Sequence, residues 1–135
     1  MTILAYYQTQ SAPAAARSVL FAGCCGQYAT LDVLPGGTLS FRVDQTIATG
    51  GISYTSVVVP IVFKLDVAHA HQSVVTDRET IAPAFDALGP NRGVFLGGAN
   101  NAAPAGRWLY MVAWFGSAAE FDDATANSLL DALGW

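Results

Sequence analysis

Between Thr38 and Gln45 the chain alternates strictly. Leu39, Phe41 and Val43 fall on one side of an extended backbone, and Ser40, Arg42 and Asp44 on the other. A period of two is what a strand shows when one face meets a core and the other meets water. Runs of the same kind, rich in β-branched and aromatic residues, recur along the sequence and are stopped by Gly, Pro and Asn. They predict strands at Thr2 to Gln8, Arg17 to Ala22, Gln27 to Leu34, Thr38 to Gln45, Ser53 to Val67, Gln72 to Arg78 and Gly93 to Leu96. A weaker run covers Thr80 to Phe85. Pro35–Gly36–Gly37 is the turn of a hairpin between the third and fourth runs. The glycines of Ala48 to Gly51 predict a loop, and Pro60 predicts an edge position, a bulge or a break.

The last third has the clearest layout. "GVFLGG" is followed by the loop "GGANNAAPAG" and by "GRWLYMVAWFG", whose Arg107 to Phe115 stretch is apolar on both faces and predicts a central strand. A helix is expected after it. Asp122 or Asp123 can cap its first amides, with Ser117 and Glu120 as a competing start. Phe121, Leu129, Leu130 and Leu133 supply an apolar stripe, and Gly134 stands where a C-terminal cap belongs. The pattern predicts one all-β domain over residues 1–135, an antiparallel β-sandwich of the jelly-roll kind. It has about eight or nine strands and one short C-terminal helix. Thr2 to Gln8 is read as a first strand or an extended arm, Gln10 to Ala16 as a small-residue connector, and residues 1–16 together as the candidate N-terminal arm.

Composition narrows the function classes. Charged residues make up 12% of the 135, hydrophobic ones 53%, and the formal net charge is −4. An ordinary soluble domain carries roughly 25% charge. Either Ala, Gly, Ser and Thr form a neutral surface, or partner chains bury part of it, as interface cores are poor in charge; burial is the favoured expectation. Lys64 is the single lysine and the five arginines are scattered. Nucleic acid is therefore not an expected partner. No run of about 18 apolar residues exists for a spanning helix, so no membrane partner is expected either. The N-terminal MTILAYYQTQ does not read as a signal peptide, which predicts synthesis in a host cytoplasm. Adjacent Cys24 and Cys25 point to opposite faces of a strand and predict free thiols.

The tail also resembles the C-terminal end of concanavalin A-like, laminin-G-type jelly rolls, as found in phage virion proteins. The likeness rests on "FLGG", the loop, "GRWLYMVAWFG" and the short acidic helix, across residues 93 to 133. It implies a jelly-roll fold and recognition of glycan or protein at loop ends. It assigns no site residues here.

No catalytic set stands out. His69 and His71 would share one face of a strand and could hold zinc or iron as in a cupin. The required glutamate and third histidine are missing, so polar strand-end histidines are the expectation. Asp66, Asp77 and Glu79 do not form the paired carboxylates of a glycosidase. No cofactor is expected. Aromatic and amide residues remain: Tyr6, Tyr7, Tyr54, Asn100, Asn101 and Trp135 are the candidate contact residues. The expectation is a non-enzymatic structural subunit of a virus or phage particle, a head-decoration or fibre-type protein on the virion surface. Its partners would be copies of itself and other virion proteins. A carbohydrate-binding module is the alternative, and a small metal-dependent cupin-like enzyme the third reading.

Overall fold

The computed structural model describes residues 2–9, 12–24, 27–66, 70–86, 93–96 and 106–114, with residues 124, 128 and 131. Among these, ten strands form: β1 (Thr2–Thr9), β2 (Arg17–Cys24), β3 (Gln27–Val33), β4 (Thr38–Val43), β5 (Thr46–Ser53), β6 (Val58–Asp66), β7 (His71–Val75), β8 (Thr80–Ile81), β9 (Gly93–Leu96) and β10 (Gly106–Trp114). They make two five-stranded sheets, ordered β10-β1-β6-β7-β8 and β5-β4-β3-β2-β9. Every pairing is antiparallel. The chain is an all-β sandwich.

The alternation seen in the sequence fixes which side chains meet. Ile3, Ala5 and Tyr7 of β1 and Val59, Ile61 and Phe63 of β6 face Leu31, Val33, Leu39, Phe41 and Val43 of the other sheet. At the centre Phe41 meets Phe63 edge to face, with ring centroids 5.1 Å apart and planes at 68°. This T-shaped geometry suits the aromatic quadrupoles and ties the two sheets together. The β3–β4 hairpin forms as predicted. Its turn places Gly36 and Gly37 at φ of 93° and 86°, a region open to glycine at little cost.

Three expectations are corrected. First, of the two readings of the N-terminus the strand holds and the arm does not: β1 lies between β10 and β6, because its odd-numbered face is core. Second, Ala48 to Gly51 is not a loop but part of β5. The β4–β5 ladder runs from Ser40↔Thr49 to Thr38↔Ser53, so β5 carries extra residues between those pairs, and Gly50 and Gly51 lie in that bulge. Third, β10 is an edge strand of its sheet. On the face away from the sandwich core, Thr2, Val62, Lys64, Ser73 and Val75 are also buried, with Leu4 packed against Val62 and Val75.

Pro60 is tolerated for a related reason. It pairs with Tyr6 of β1, while the β7 ladder starts only at Val62↔Val75, so that stretch of β6 has one described neighbour. Ala124, Ser128 and Asp131 are helical and exposed. Spaced four and three apart, they share one side of a helix. The expected stripe of Phe121, Leu129, Leu130 and Leu133 lies outside the described residues, as do Cys25 and the loop 97–105.

Candidate functional site

One edge of the sandwich is closed by side chains that cross between the sheets. β5 lies against β8. The Glu79 carboxylate accepts the Gly51 amide at 2.7 Å, taking up a donor that the bulge removes from the ladder. A Cβ at Gly50 would lie 2.6 Å from Glu79 Cδ, so glycine there makes room for the carboxylate. Nearby, Tyr54 and Thr76 share a buried hydroxyl–hydroxyl bond of 2.7 Å. The Thr76 hydroxyl also donates to the Glu79 carbonyl and accepts the amides of Arg78 and Glu79. Burial pushes the Tyr54 phenol up to about 12, with the charges of Glu79 and Asp77 adding to the rise and the Thr76 bond opposing it. Further along, Gln72 Nε2 donates to the Ala84 carbonyl, and the Gln45 amide donates to Asp86 at 3.3 Å. The segment after β8 is thereby fastened to the β4–β5 turn.

The outer face of the other sheet is built differently. Ala29, Leu31 and Val33 point into the core, so Tyr28, Thr30 and Asp32 point out; Ser40 and Arg42 do the same on β4. The register joins them in two cross-strand rows, Thr30–Arg42–Ile47 and Asp32–Ser40–Thr49. Arg42 Nη1 donates to the Tyr28 hydroxyl at 3.3 Å, and Thr30 donates to Asp32 at 3.1 Å. Ile47, at the end of the first row, is 54% exposed. The β3–β5 part of this face therefore carries one cation, one anion, hydroxyls and an exposed aliphatic side chain. Among the described residues neither Arg42 nor Asp32 makes an ion pair.

The predicted contact residues scatter. Tyr7 and Tyr54 are 1% exposed and serve the core. Burial holds the Tyr7 phenol far above its ordinary range. Tyr6 is half-buried on the opposite side of β1. His71 opens β7 across from Asp66. His69, Asn100, Asn101 and Trp135 lie outside the described residues. Among the described residues no three of His, Cys, Asp or Glu gather as metal ligands. Asp32, Arg42 and Ile47 of this outward set do not stand out in the sequence as candidate contact residues. Its signal was the polar half of the hairpin alternation.

Neither a family model, nor a curated protein, nor a solved structure matches this chain.

Proposed function

We propose that this chain is a non-enzymatic structural subunit of a virus or phage particle, of the head-decoration or fibre type, acting through multivalent protein–protein contacts. The observation that carries the reading is the uneven treatment of surfaces. Both sheets bury residues on the face away from the core, Val62, Lys64, Ser73 and Val75 on one and Thr30 and Ser40 on the other, the β5–β8 edge is closed by Glu79 and Asp86, and Ile47 and Thr49 of β5 stay exposed beside it. A repeated subunit needs charge-poor surface and edges that discourage strand addition. We further propose a jelly-roll relation at the chain ends. β1 pairs with β10 and β2 with β9, a nested pairing of first with last, while β2–β5 and β6–β8 run as meanders. Immunogold labelling of particles purified from the source is the test. Label along the shell or fibres supports the role, and its absence from particles that contain all other structural proteins overturns it.

Carbohydrate binding is the second reading. Tyr28, Arg42, Asp32 and Thr30 put a phenol, a guanidinium and a carboxylate on one face, chemistry that can stack on and hydrogen-bond a sugar. A glycan array decides it. A binder whose signal drops on Tyr28→Ala supports this reading, and an empty array removes it.

A further inference from the structure

We infer that the outer edge of β5 is a strand-pairing site for β5 of a second copy of this chain, and that Glu79 and Asp86 hold it shut. β5 has β4 as its one described neighbour. The backbone bonds of β4 fix which groups of β5 lie on the free side. β3 and β4 are joined between Leu34 and Thr38 at one end and between Tyr28 and Asp44 at the other. Bonded and unbonded pairs alternate in an antiparallel ladder, so Ser40 and Arg42 turn their amides and carbonyls to β3, and Phe41 and Val43 turn theirs to β5. Their partners there are Ala48 and Thr46. The amides and carbonyls of Ile47 and Thr49 therefore point away from the sheet, beside an Ile47 that is 54% exposed. The Gln45 amide donates to Asp86 at 3.3 Å, and the Gly51 amide to Glu79 at 2.7 Å. Of the outward amides of Gln45, Ile47, Thr49 and Gly51, the first and the last are thus taken by carboxylates.

The register fits a second copy. A two-fold axis through Ala48 sets Ile47 of each copy against Thr49 of the other, the exchange that an isologous contact requires. Both are bonded pairs, and each joins two β-branched side chains, a favourable cross-strand match. The same register sets Gln45 against Gly51 of the other copy, so the two guarded amides fall opposite each other. While the carboxylates are in place, two things oppose that pairing. The end amides are already occupied, and Asp86 of one copy meets Glu79 of the other at both ends. Like charges brought together at a contact are costly. Arg78, the cation next to Glu79 in the chain, is already paired with Asp77 at 3.3 Å. Asp86 is held in position by the buried Gln72, whose Oε1 accepts the Asp86 amide at 3.4 Å while its Nε2 donates to the Ala84 carbonyl. Charges on an edge are one means by which sheets avoid growing into one another. The guard serves any protein whose copies are held close together, and it does not depend on the virion role proposed above.

Sedimentation equilibrium tests this with wild type, the double variant Glu79→Ala/Asp86→Ala, and a triple variant that adds Thr49→Pro. The double variant associates about tenfold or more tightly than wild type, because its end amides are free and the like charges are gone. Proline at 49 removes an edge amide without touching the β4 ladder, so the triple variant returns to within about threefold of wild type. Ile47→Pro, on the same edge, takes its place if Thr49→Pro unfolds the chain. Calorimetry shows which variants keep a cooperative thermal transition. If the double variant lacks one, Asp86→Ala replaces it with Glu79 left on Gly51, and association within about twofold of wild type then overturns the guarded edge. A folded double variant that associates no more tightly than wild type overturns it, and so does tightened association that proline leaves untouched. The virion role stands or falls separately, on the particle labelling.

Discussion

At the scale of single residues, the best-defined device is Glu79, which acts on two glycines of another strand. Its carboxylate accepts the Gly51 amide, and its bulk occupies the space a Gly50 side chain would need. A hydrogen bond to a charged group contributes about 1.5–3 kcal/mol, less where water can compete. Glu79→Ala is therefore expected to cost about 1–2 kcal/mol in urea unfolding. Gly50→Ala should cost a similar amount in the wild-type background, because the methyl drives the carboxylate off Gly51. In the Glu79→Ala background the obstacle is gone, and the same substitution should be nearly neutral. The double-mutant cycle would then give a coupling on the order of 1 kcal/mol. Additive costs would mean that the two residues do not share this contact. This is also where the sequence was opaque. Gly50–Gly51 read as a loop because two glycines usually break a strand, and the reason they sit inside one lies 28 residues onward. Tyr54 was misjudged in the same way: its hydroxyl suggested a surface contact until Thr76 appeared beside it in the core.

Strands were more legible than their neighbours. Alternation at Thr38 to Val43 reported a half-buried strand because that pattern depends only on the strand's own two faces. The rank of a strand within its sheet depends on pairing with distant segments, and β10 carries no local mark of being an edge. What β10 does carry is a bulge. Tyr6 pairs with Tyr110 and Tyr7 with Trp108, so Leu109 is an extra residue, and it is 49% exposed. Bulges on edge strands twist the open backbone away from stray partners. Deleting Leu109 should leave both arms of the β1–β10 ladder in their present register, since Trp108 and Tyr110 would then follow one another opposite Tyr7 and Tyr6. The variant is expected to fold, with an unchanged far-ultraviolet circular dichroism spectrum. Its straightened edge should raise light scattering on storage at high concentration. A deletion variant no more prone to aggregate than wild type would show that the bulge has no protective role.

At the scale of the molecule, the pairing pattern makes the whole chain interdependent. Both neighbours of β1, β6 and β10, arrive late in the sequence, and β2 pairs with β3 on one side and with β9 on the other. The core residues of β1 therefore stay exposed until β6 has been placed, and one flank of β1 and of β2 stays bare until the last two strands arrive. Loop closure must be completed before such contacts return any stability, so folding is expected in the millisecond-to-second range of sandwiches dominated by non-local contacts. The same dependence predicts the fate of fragments. A chain ending at residue 92 keeps the β2–β5 and β6–β8 meanders and the Phe41–Phe63 contact. It loses β9 and β10, and with them one neighbour of each of the two N-terminal strands. Local β content can persist in such a fragment, but its bared strands should make it aggregate, and it should show no sharp heat-induced transition. Calorimetry and light scattering of that fragment beside the full chain provide the check. A soluble fragment with its own cooperative transition would mean that the meanders form an independent unit and that the closing strands are an addition to it.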